Sequence, residues 1–370
     1  MTLAALSRKF DILNDARTFI KQKVKTSIPV QQNVALAPLT TLKIGGDARF
    51  FVRAETEIQV AAAFDFAKEN DFELFVLGGG SNVLVADEGF DGLVLQIALK
   101  GVEINENLVT VQAGEDWDGF VRFCVENRLQ GVECLSGIPG LTGGTPVQNV
   151  GAYGQEVSET ITRVRVFDRQ SREILELTNA DCRFDYRASI FNTTAKNRFI
   201  VLSVTFALTK DAAPKIAYKD LQTYFADRQP DLAEAREAVL KIRAWKSMVI
   251  DNGDPNAKSA GSFFKNPIVP GEKFAEIVAI AAKLGIENVP SFTVGENFLK
   301  IPAAWLIENA GFHKGYVKNG VGISTRHTLA LINRGGASAR EIIDLKDEIQ
   351  TKVREKFGVE LTPEPVFVGF

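Results

Sequence analysis

The sequence predicts an α+β protein of three domains, and three observations lead there. The chain has 370 residues, 45% apolar and 24% charged, enough for several hydrophobic cores in an ordinary globular composition. Strand-like and helix-like patterns alternate from about residue 40 to residue 208, and a run of helices follows. Two glycine-rich segments and a polar stretch at 211–230 divide these patterns. The expected division is an N-terminal extension at 1–35, a first unit at 36–100 and a second at 101–212. A linker at 213–230, a third domain at 231–360 and a closing segment at 361–370 complete it.

In the first unit, Ala48 to Arg53 (ARFFVR) is strand-like, and Glu55 to Glu69 carries Ile58, Ala62 and Phe66 in helical steps. Phe72 to Leu77 and Gly92 to Ile97 read as strands on either side of a glycine turn. The second unit opens with the strand Leu108 to Gly114. Its helix, Asp116 to Leu129, places Trp117, Phe120, Val121, Cys124 and Val125 on one face, with Gly131 set to stop it. Strands at 164–168, 173–177 and 199–208 follow, the first two as a hairpin. In the third domain, helices are expected at Asp231 to Trp245, at 272–284 and at 302–310, the last with Pro302 in its first turn and Gly311 beyond its end. The final helix begins with a capping box, Ser338 and Glu341, and buries Ile342, Leu345, Ile349, Val353 and Phe357. Residues 1–35 read as a terminal helix or a partly ordered extension.

Composition removes several classes of function. The 43 basic and 46 acidic residues are interspersed and net charge is −3, so the basic footprint of a nucleic-acid binder is missing. No apolar run reaches the roughly 20 residues that span a bilayer, and the N-terminus does not have the form of a signal peptide. Cys124, Cys134 and Cys182 make an odd count without a C-x-x-C pair, which fits a reducing cytoplasm. Two histidines, His313 and His327, offer little material for a metal site or a histidine-based triad.

The chemistry concentrates in a few segments. Val76 to Asn82 (VLGGGSN) is a buried strand running into Gly78, Gly79 and Gly80, then Ser81 and Asn82. Successive glycine N–H groups make a concavity suited to phosphate oxygens. The segment is neither a Walker A loop nor a Rossmann turn, because no G-K-[ST] and no helix follow. Ser136 to Gly154 holds six glycines and two prolines in nineteen residues, which no regular helix or central strand accepts. A loop this long is usually functional, and Thr145, Gln148 and Asn149 are positioned to hydrogen-bond a flat ligand. Further on, Ser262 stands between Gly261 and two phenylalanines in SAGSFFKNP. A Tyr186-Arg187 pair lies mid-chain, and Glu364 lies between Pro363 and Pro365. Taken alone, Ser262 reads as a turn cap, Arg187 as an ion-pair partner of Asp181 or Asp185, and Glu364 as a surface carboxylate.

The two glycine segments together resemble the flavin-binding module of the vanillyl-alcohol-oxidase type, which holds FAD between two α+β subdomains. Five motifs in order sharpen this: GGGSN at Gly78, IPG at Ile138 running to PVQNVGAYG at Pro146, CRFDYRASIF at Cys182, GSFFKNP at Gly261 and LTPEP at Leu361. The series, over about residues 40–370, resembles the UDP-N-acetylenolpyruvoylglucosamine reductase family, and AYKDL at Ala217 resembles its longer type with a tyrosine loop. The resemblance implies a flavin module followed by a third, α+β substrate domain, with the closing segment carrying Glu364 back to the active site. It also implies non-covalent FAD and NADPH as co-substrate. The enolpyruvyl ether of UDP-N-acetylglucosamine would be reduced to UDP-N-acetylmuramate, with the protein expected as a monomer. FAD would be held by Gly78, Gly79, Gly80, Ser81, Asn82, Gly144, Thr145, Val147, Gln148, Gly151, Ala152 and Arg243. Substrate would meet Tyr153, Tyr186, Tyr218, Lys246 and Asn266.

Reduction of an enolpyruvyl group places negative charge beside its carboxylate, so it needs a cation there and a proton donor opposite. On the family pattern Arg187 is the cation, Glu364 shares that role or orients Arg187, and Ser262 is the donor. A serine is a poor acid, so its site must stabilise the alkoxide or relay a proton from water or from Lys246. Gly144 stands where many relatives have serine, and the segment between Lys246 and Ser262 is long for the longer type. A sugar or alcohol oxidase on the same module is the rival enzyme. A non-catalytic nucleotide-sugar or flavin-binding protein is the rival outside enzymes, and a phosphate-loop hydrolase is the weakest alternative.

Overall fold

The computed structural model describes residues 28–370 apart from Asn252. The terminal helix or extension expected at residues 1–35 lies, as far as residue 27, outside the described residues. Residues beyond it already belong to the fold, since Gln31–Ala35 is the edge strand of the first sheet. That sheet runs Gln31–Ala35, Asp47–Ala54, Phe90–Ile97, Leu74–Leu77; the first pair is antiparallel and the others parallel.

The helix Glu57–Glu69 begins at a capping box of Thr56 and Gln59. It buries Val60, Ala63, Phe64 and Ala67, not the stripe of Ile58, Ala62 and Phe66, and Ile58 is 44% exposed. Both sets satisfy helical spacing. The sheet takes Val60, Ala63, Phe64 and Ala67, while Phe66 turns aside to pack with Phe50 and Phe72.

The second sheet is antiparallel throughout, in the order Glu173–Thr178, Ile161–Asp168, Phe199–Ala207, Leu108–Gln112, Val102–Asn105. The helix Trp117–Glu126 covers it, capped by the Asp116 carboxylate on Gly119 N–H. Its buried face is the expected one: Trp117, Phe120, Val121, Cys124 and Val125. One continuous apolar core joins these residues to the helix and strands of the first sheet.

The 213–230 stretch is not all linker. Lys219–Phe225 is a helix that sinks Leu221 and Phe225 against Cys134, Ala238 and Val239. Two buried apolar residues four apart were enough to close it in an otherwise polar segment. The helix Leu232–Trp245 therefore packs on the second unit, and Arg236 reinforces this through a two-pronged pair with Asp118 at 2.7 Å.

A separate core forms around the helices Gly271–Lys283, Ala303–Asn309 and Ala339–Phe357 and two three-stranded sheets. Ser338 and Glu341 cap the last helix reciprocally, and its five expected apolar positions are all fully buried. Leu42, Ile44 and Leu84 enter this same core from the N-terminal side. The chain ends by returning to the first unit, where Val366–Val368 pairs in parallel with Val83–Val85. Among the described residues no helix is long and apolar enough to cross a membrane.

Phe357 is fully buried beneath Trp305, their rings 5.5 Å apart. Phe357→Ala should cost about 3–5 kcal/mol by emptying that site. Urea unfolding checks this, and a loss below about 1 kcal/mol would mean that the helix is not anchored there.

Candidate active site

The two glycine segments pack against each other. A Cβ on Gly79 would lie 2.7 Å from Gly140 Cα, and one on Gly80, whose φ is +64°, would lie 1.9 Å from Leu39 O. These glycines let backbone touch backbone. Gly78 and Gly144 differ, because a Cβ on either meets nothing within 4 Å. Their faces line open space beside the joined loops, which is the form of a cradle for a flat ligand and its phosphates. Other expected contacts turn inward. Thr145 Oγ1 donates to Thr142 O at 2.8 Å, and Asn149 Nδ2 donates to Glu156 Oε2 at 2.7 Å. Both side chains hold the loop in shape and are not aimed outward. Asn82 Nδ2 donates to Gln148 Oε1 at 3.1 Å, which links the two segments again, and Gln148 Nε2 reaches Glu364 Oε1 at 3.4 Å. Val147 contributes its carbonyl to the Ser189 hydroxyl at 2.6 Å, while Ala152 pairs with Gln155 in a small hairpin beginning at Gly151.

Arg187 sits at a left-handed φ of +52°. Its Nη2 donates to Gly151 O at 2.6 Å, and its Nε lies 3.5 Å from Glu364 Oε1. Its carboxylate partner is thus Glu364, neither Asp181 nor Asp185. Asp181 is engaged with Thr178 at the start of its own short helix. Glu364 is delivered by backbone pairing: its N–H donates to Phe263 O at 2.9 Å, and Lys265 N–H donates to Thr362 O at 2.9 Å. The segment bearing Ser262 and the closing segment are therefore neighbours. Lys265, which sequence reasoning passed over, completes the group by donating from Nζ to Arg187 O at 3.2 Å. Burial pushes the Glu364 carboxyl above its ordinary range, against the opposing pull of Arg187 and Lys265.

Ser262 Oγ lies 3.1 Å from His327 Nε2. His327 was set aside in the sequence, and nothing local marks it, since it stands 65 residues beyond its partner. Burial, and then the cations Lys246, Lys314 and Arg243, lower its pKa to about 4, so the imidazole is neutral at ordinary pH. Lys246 is not at the serine: its Nζ forms an ion pair with Asp220 at 2.7 Å and stands 5.8 Å from the Tyr153 ring centroid.

Tyr218 heads the helix Lys219–Phe225, 43% exposed, its ring 5.5 Å from that of Tyr153 in an edge-on contact. A cleft of about 350 Å³ opens beside them, lined by Trp245, Lys246, Lys314, Thr325, Arg326 and His327. On the other side, Lys300 Nζ sits 4.6 Å over the Tyr186 ring. Asn266 Oδ1 accepts from Ala303 N–H at 2.8 Å, fixing the start of that helix. Arg243 is 6% exposed and donates from Nη2 to Met248 O at 2.6 Å, while its buried Nε has no partner among the described residues. An orphaned guanidinium N–H beside the loops, the open faces of Gly78 and Gly144 and the N–H-rich glycine turn all suit an anionic, planar cofactor.

The fold and the site define a flavoprotein: residues 48–178 match the FAD binding domain family. Residues 254–368 match the UDP-N-acetylenolpyruvoylglucosamine reductase, C-terminal domain. A UDP-N-acetylenolpyruvoylglucosamine reductase of Thermobifida fusca is 46% identical over 91% of this chain and 98% of its own. That of Streptomyces coelicolor is 46% identical over 93% and 92%. The chain belongs to the UDP-N-acetylenolpyruvoylglucosamine reductase family. The crystal structure of the Thermus caldophilus reductase, 24% identical, superposes with a TM-score of 0.64 over 92% of this chain and all of that one, so the fold is shared.

Gly78→Val and Gly79→Val should lose flavin for different reasons. The first should fold normally, because its side chain enters open space, yet bind FAD at least about tenfold more weakly. The second should also lower the melting temperature, because it forces two backbones apart. Flavin absorbance and thermal melts read both, and full flavin occupancy in either variant would contradict the cradle.

Proposed function

We propose that this chain reduces the enolpyruvyl ether of UDP-N-acetylglucosamine to the lactyl ether of UDP-N-acetylmuramate, with NADPH as reductant and Ser262 as proton donor. The observation that carries the reading is the meeting of Ser262, Arg187 and Glu364, from three distant parts of the chain, beside the glycine cradle. Gly78, Gly79, Gly80, Gly144 and Arg243 are the groups that would hold FAD, which when bound supplies the hydride chemistry between NADPH and substrate.

Arg187 retains N–H donors beyond those that bind Gly151, Asn149 and Glu364, and a substrate carboxylate fits this planar fork. Lys265 adds a second positive charge at the same point. As charge builds on the carbon beside that carboxylate, both cations stabilise it without rearrangement. Glu364 holds the Arg187 guanidinium in line, and burial pushes its carboxyl above the ordinary range against the pull of Arg187 and Lys265. Ser262 gives its hydroxyl proton to the carbon. Lys246, Lys314 and Arg326 line the cleft with the charge that a diphosphate requires, and Tyr153, edge-on to Tyr218, adds aromatic surface beside Lys246. An oxidase would need none of the paired carboxylate recognition, which is why the reductase reading is preferred.

The test is an anaerobic absorbance trace of the flavin-loaded enzyme. NADPH should bleach the flavin, and the enolpyruvyl substrate should restore its yellow colour; bleaching without recovery would reject this substrate. Ser262→Ala should leave the NADPH step unchanged and slow the substrate step by at least about 10²-fold. Equal losses in both steps would reject the donor role. For Tyr218→Phe the expectation is a KM raised about three- to tenfold with kcat nearly constant, and an unaltered KM would remove Tyr218 from the substrate cleft.

A further inference from the structure

We propose that His327 is the positioning residue for Ser262: its Nε2–H donates to Ser262 Oγ, turning the hydroxyl hydrogen toward the reacting carbon and holding the oxygen once that hydrogen has left. The inference rests on the assignment of Ser262 as proton donor.

A serine hydroxyl has one hydrogen and accepts through two lone pairs. If His327 Nε2 accepted from Ser262, the only transferable proton would be held by imidazole and withheld from the substrate. The 3.1 Å contact is compatible with donation to a carbon only if Nε2 carries the hydrogen. In that tautomer the contact does two things. It occupies a lone pair of Oγ, which orients the O–H bond away from His327, and it faces an N–H toward the oxygen on which negative charge will appear. An N–H aimed at a developing oxyanion is a large contribution in a partly buried site.

The balance of the step is simple. The Oγ–H bond breaks and a C–H bond forms at the enolpyruvyl carbon; Oγ then regains a proton from water. His327 keeps its Nε2–H throughout and acts as a neutral donor, in keeping with its burial among Lys246, Lys314 and Arg243.

The backbone sets this contact deliberately. Phe263 N–H, one residue from Ser262, donates to Leu329 O at 2.7 Å, so the serine strand and the His327 turn are bonded directly. Ser324 N–H donates to Ala330 O at 2.9 Å and closes the turn around His327. Asn256 Oδ1 receives both Thr325 N–H, at 2.9 Å, and the Thr325 hydroxyl, at 3.2 Å, while the Thr328 hydroxyl binds Glu308. The turn is thus held on both sides of the histidine. The other candidate to assist the serine, Lys246, is held by Asp220.

The experiment measures the two half-reactions separately, by anaerobic stopped flow, on full-length flavin-loaded His327→Leu, His327→Gln, Ser262→Ala and the Ser262→Ala/His327→Leu double variant. His327→Leu should slow reoxidation by substrate about 10²–10³-fold, the size expected for losing one such donor, and slow flavin reduction by NADPH far less. His327→Gln, which restores an N–H at nearly the same reach, should recover most of that loss. The double variant should be no slower than Ser262→Ala, because a residue acting through another adds nothing once that partner is gone.

Equal slowing of both half-reactions by His327→Leu would overturn the proposal, as would failure of glutamine to rescue. A double variant slower than Ser262→Ala by the full His327→Leu factor would do the same. If Ser262→Ala slows reoxidation but His327→Leu does not, only the positioning role falls. If Ser262→Ala does not slow it, the donor assignment itself falls. Should the leucine variant lose flavin on purification, the glutamine variant decides alone: reoxidation at the rate of Ser262→Ala would reject the role.

Discussion

Backbone pairing of the last ten residues with two separated segments holds the site together. On one side, Thr362 and Glu364 exchange hydrogen bonds with Lys265 and Phe263. On the other, Val366 N–H donates to Asn82 O and the next residues pair with Val83–Val85. Pro363 and Pro365 lend themselves to this, because each fixes its own φ and favours extended backbone in the residue before it. Glu364, lying between them, supplies the one N–H the pairing needs there. A stiff strand therefore runs from the serine segment to the first glycine loop, and Glu364 lies on it where Arg187 can reach. Displacing this strand would uncouple the Ser262 segment, Arg187 and the first glycine loop at once.

The same joint explains how a carboxylate can stand inside the site proposed to receive another one. Glu364 is mostly buried, with its side chain 14% exposed, and burial favours the neutral form, while Arg187 and Lys265 favour the charged form. Two cations against one carboxyl leave a net positive site whichever form prevails. Arg187 cannot follow an incoming carboxylate far, because Gly151 O and Asn149 O also hold its guanidinium. Its left-handed backbone, unusual for a residue with a side chain, is kept in place by the hairpin of Asp185 and Ala188 around it. Strain of this kind persists where surrounding bonds over-determine a position.

Much of this was legible in the sequence, and the division between what was and what was not is physical. Local signals survived folding intact. The buried stripe from Trp117 to Val125 and the Ser338–Glu341 box stand as read, because these depend on neighbours three or four residues away, although the helix bearing that stripe ends at Glu126, short of the expected Leu129 and Gly131. The glycine segments also announced themselves, since nothing regular tolerates their composition. What stayed hidden required tertiary partners. The stripe of Glu57–Glu69 could not be chosen from two equivalent ones without knowing the sheet below. The helix Lys219–Phe225 owes its place to a pocket made by Cys134 and Val239. Lys265 sat inside a motif whose serine drew attention first. His327 belongs to no motif: tertiary backbone contacts, Phe263 N–H to Leu329 O and the Ser259–Ile332 bridge, bring it to Ser262.

The glycines carry the last step of the argument, because they do two opposite things within one cradle. Gly79, Gly80 and Gly140 remove side chains so that protein can contact protein, and the loops become a rigid wall. Gly78 and Gly144 remove side chains where nothing of the protein comes near, and the wall acquires a surface that a ligand can approach. Thr41 fastens this wall to the third unit, since its hydroxyl donates to Ser259 O at 2.6 Å while its N–H donates to Gly80 O at 3.0 Å. One small residue thus connects the cofactor loop to the chain three residues before Ser262. The glycine cradle and the Ser262 segment are parts of a single hydrogen-bonded frame, and the precision that the proposed hydride and proton delivery to adjacent carbons demands would be met by backbone contacts more than by flexible side chains.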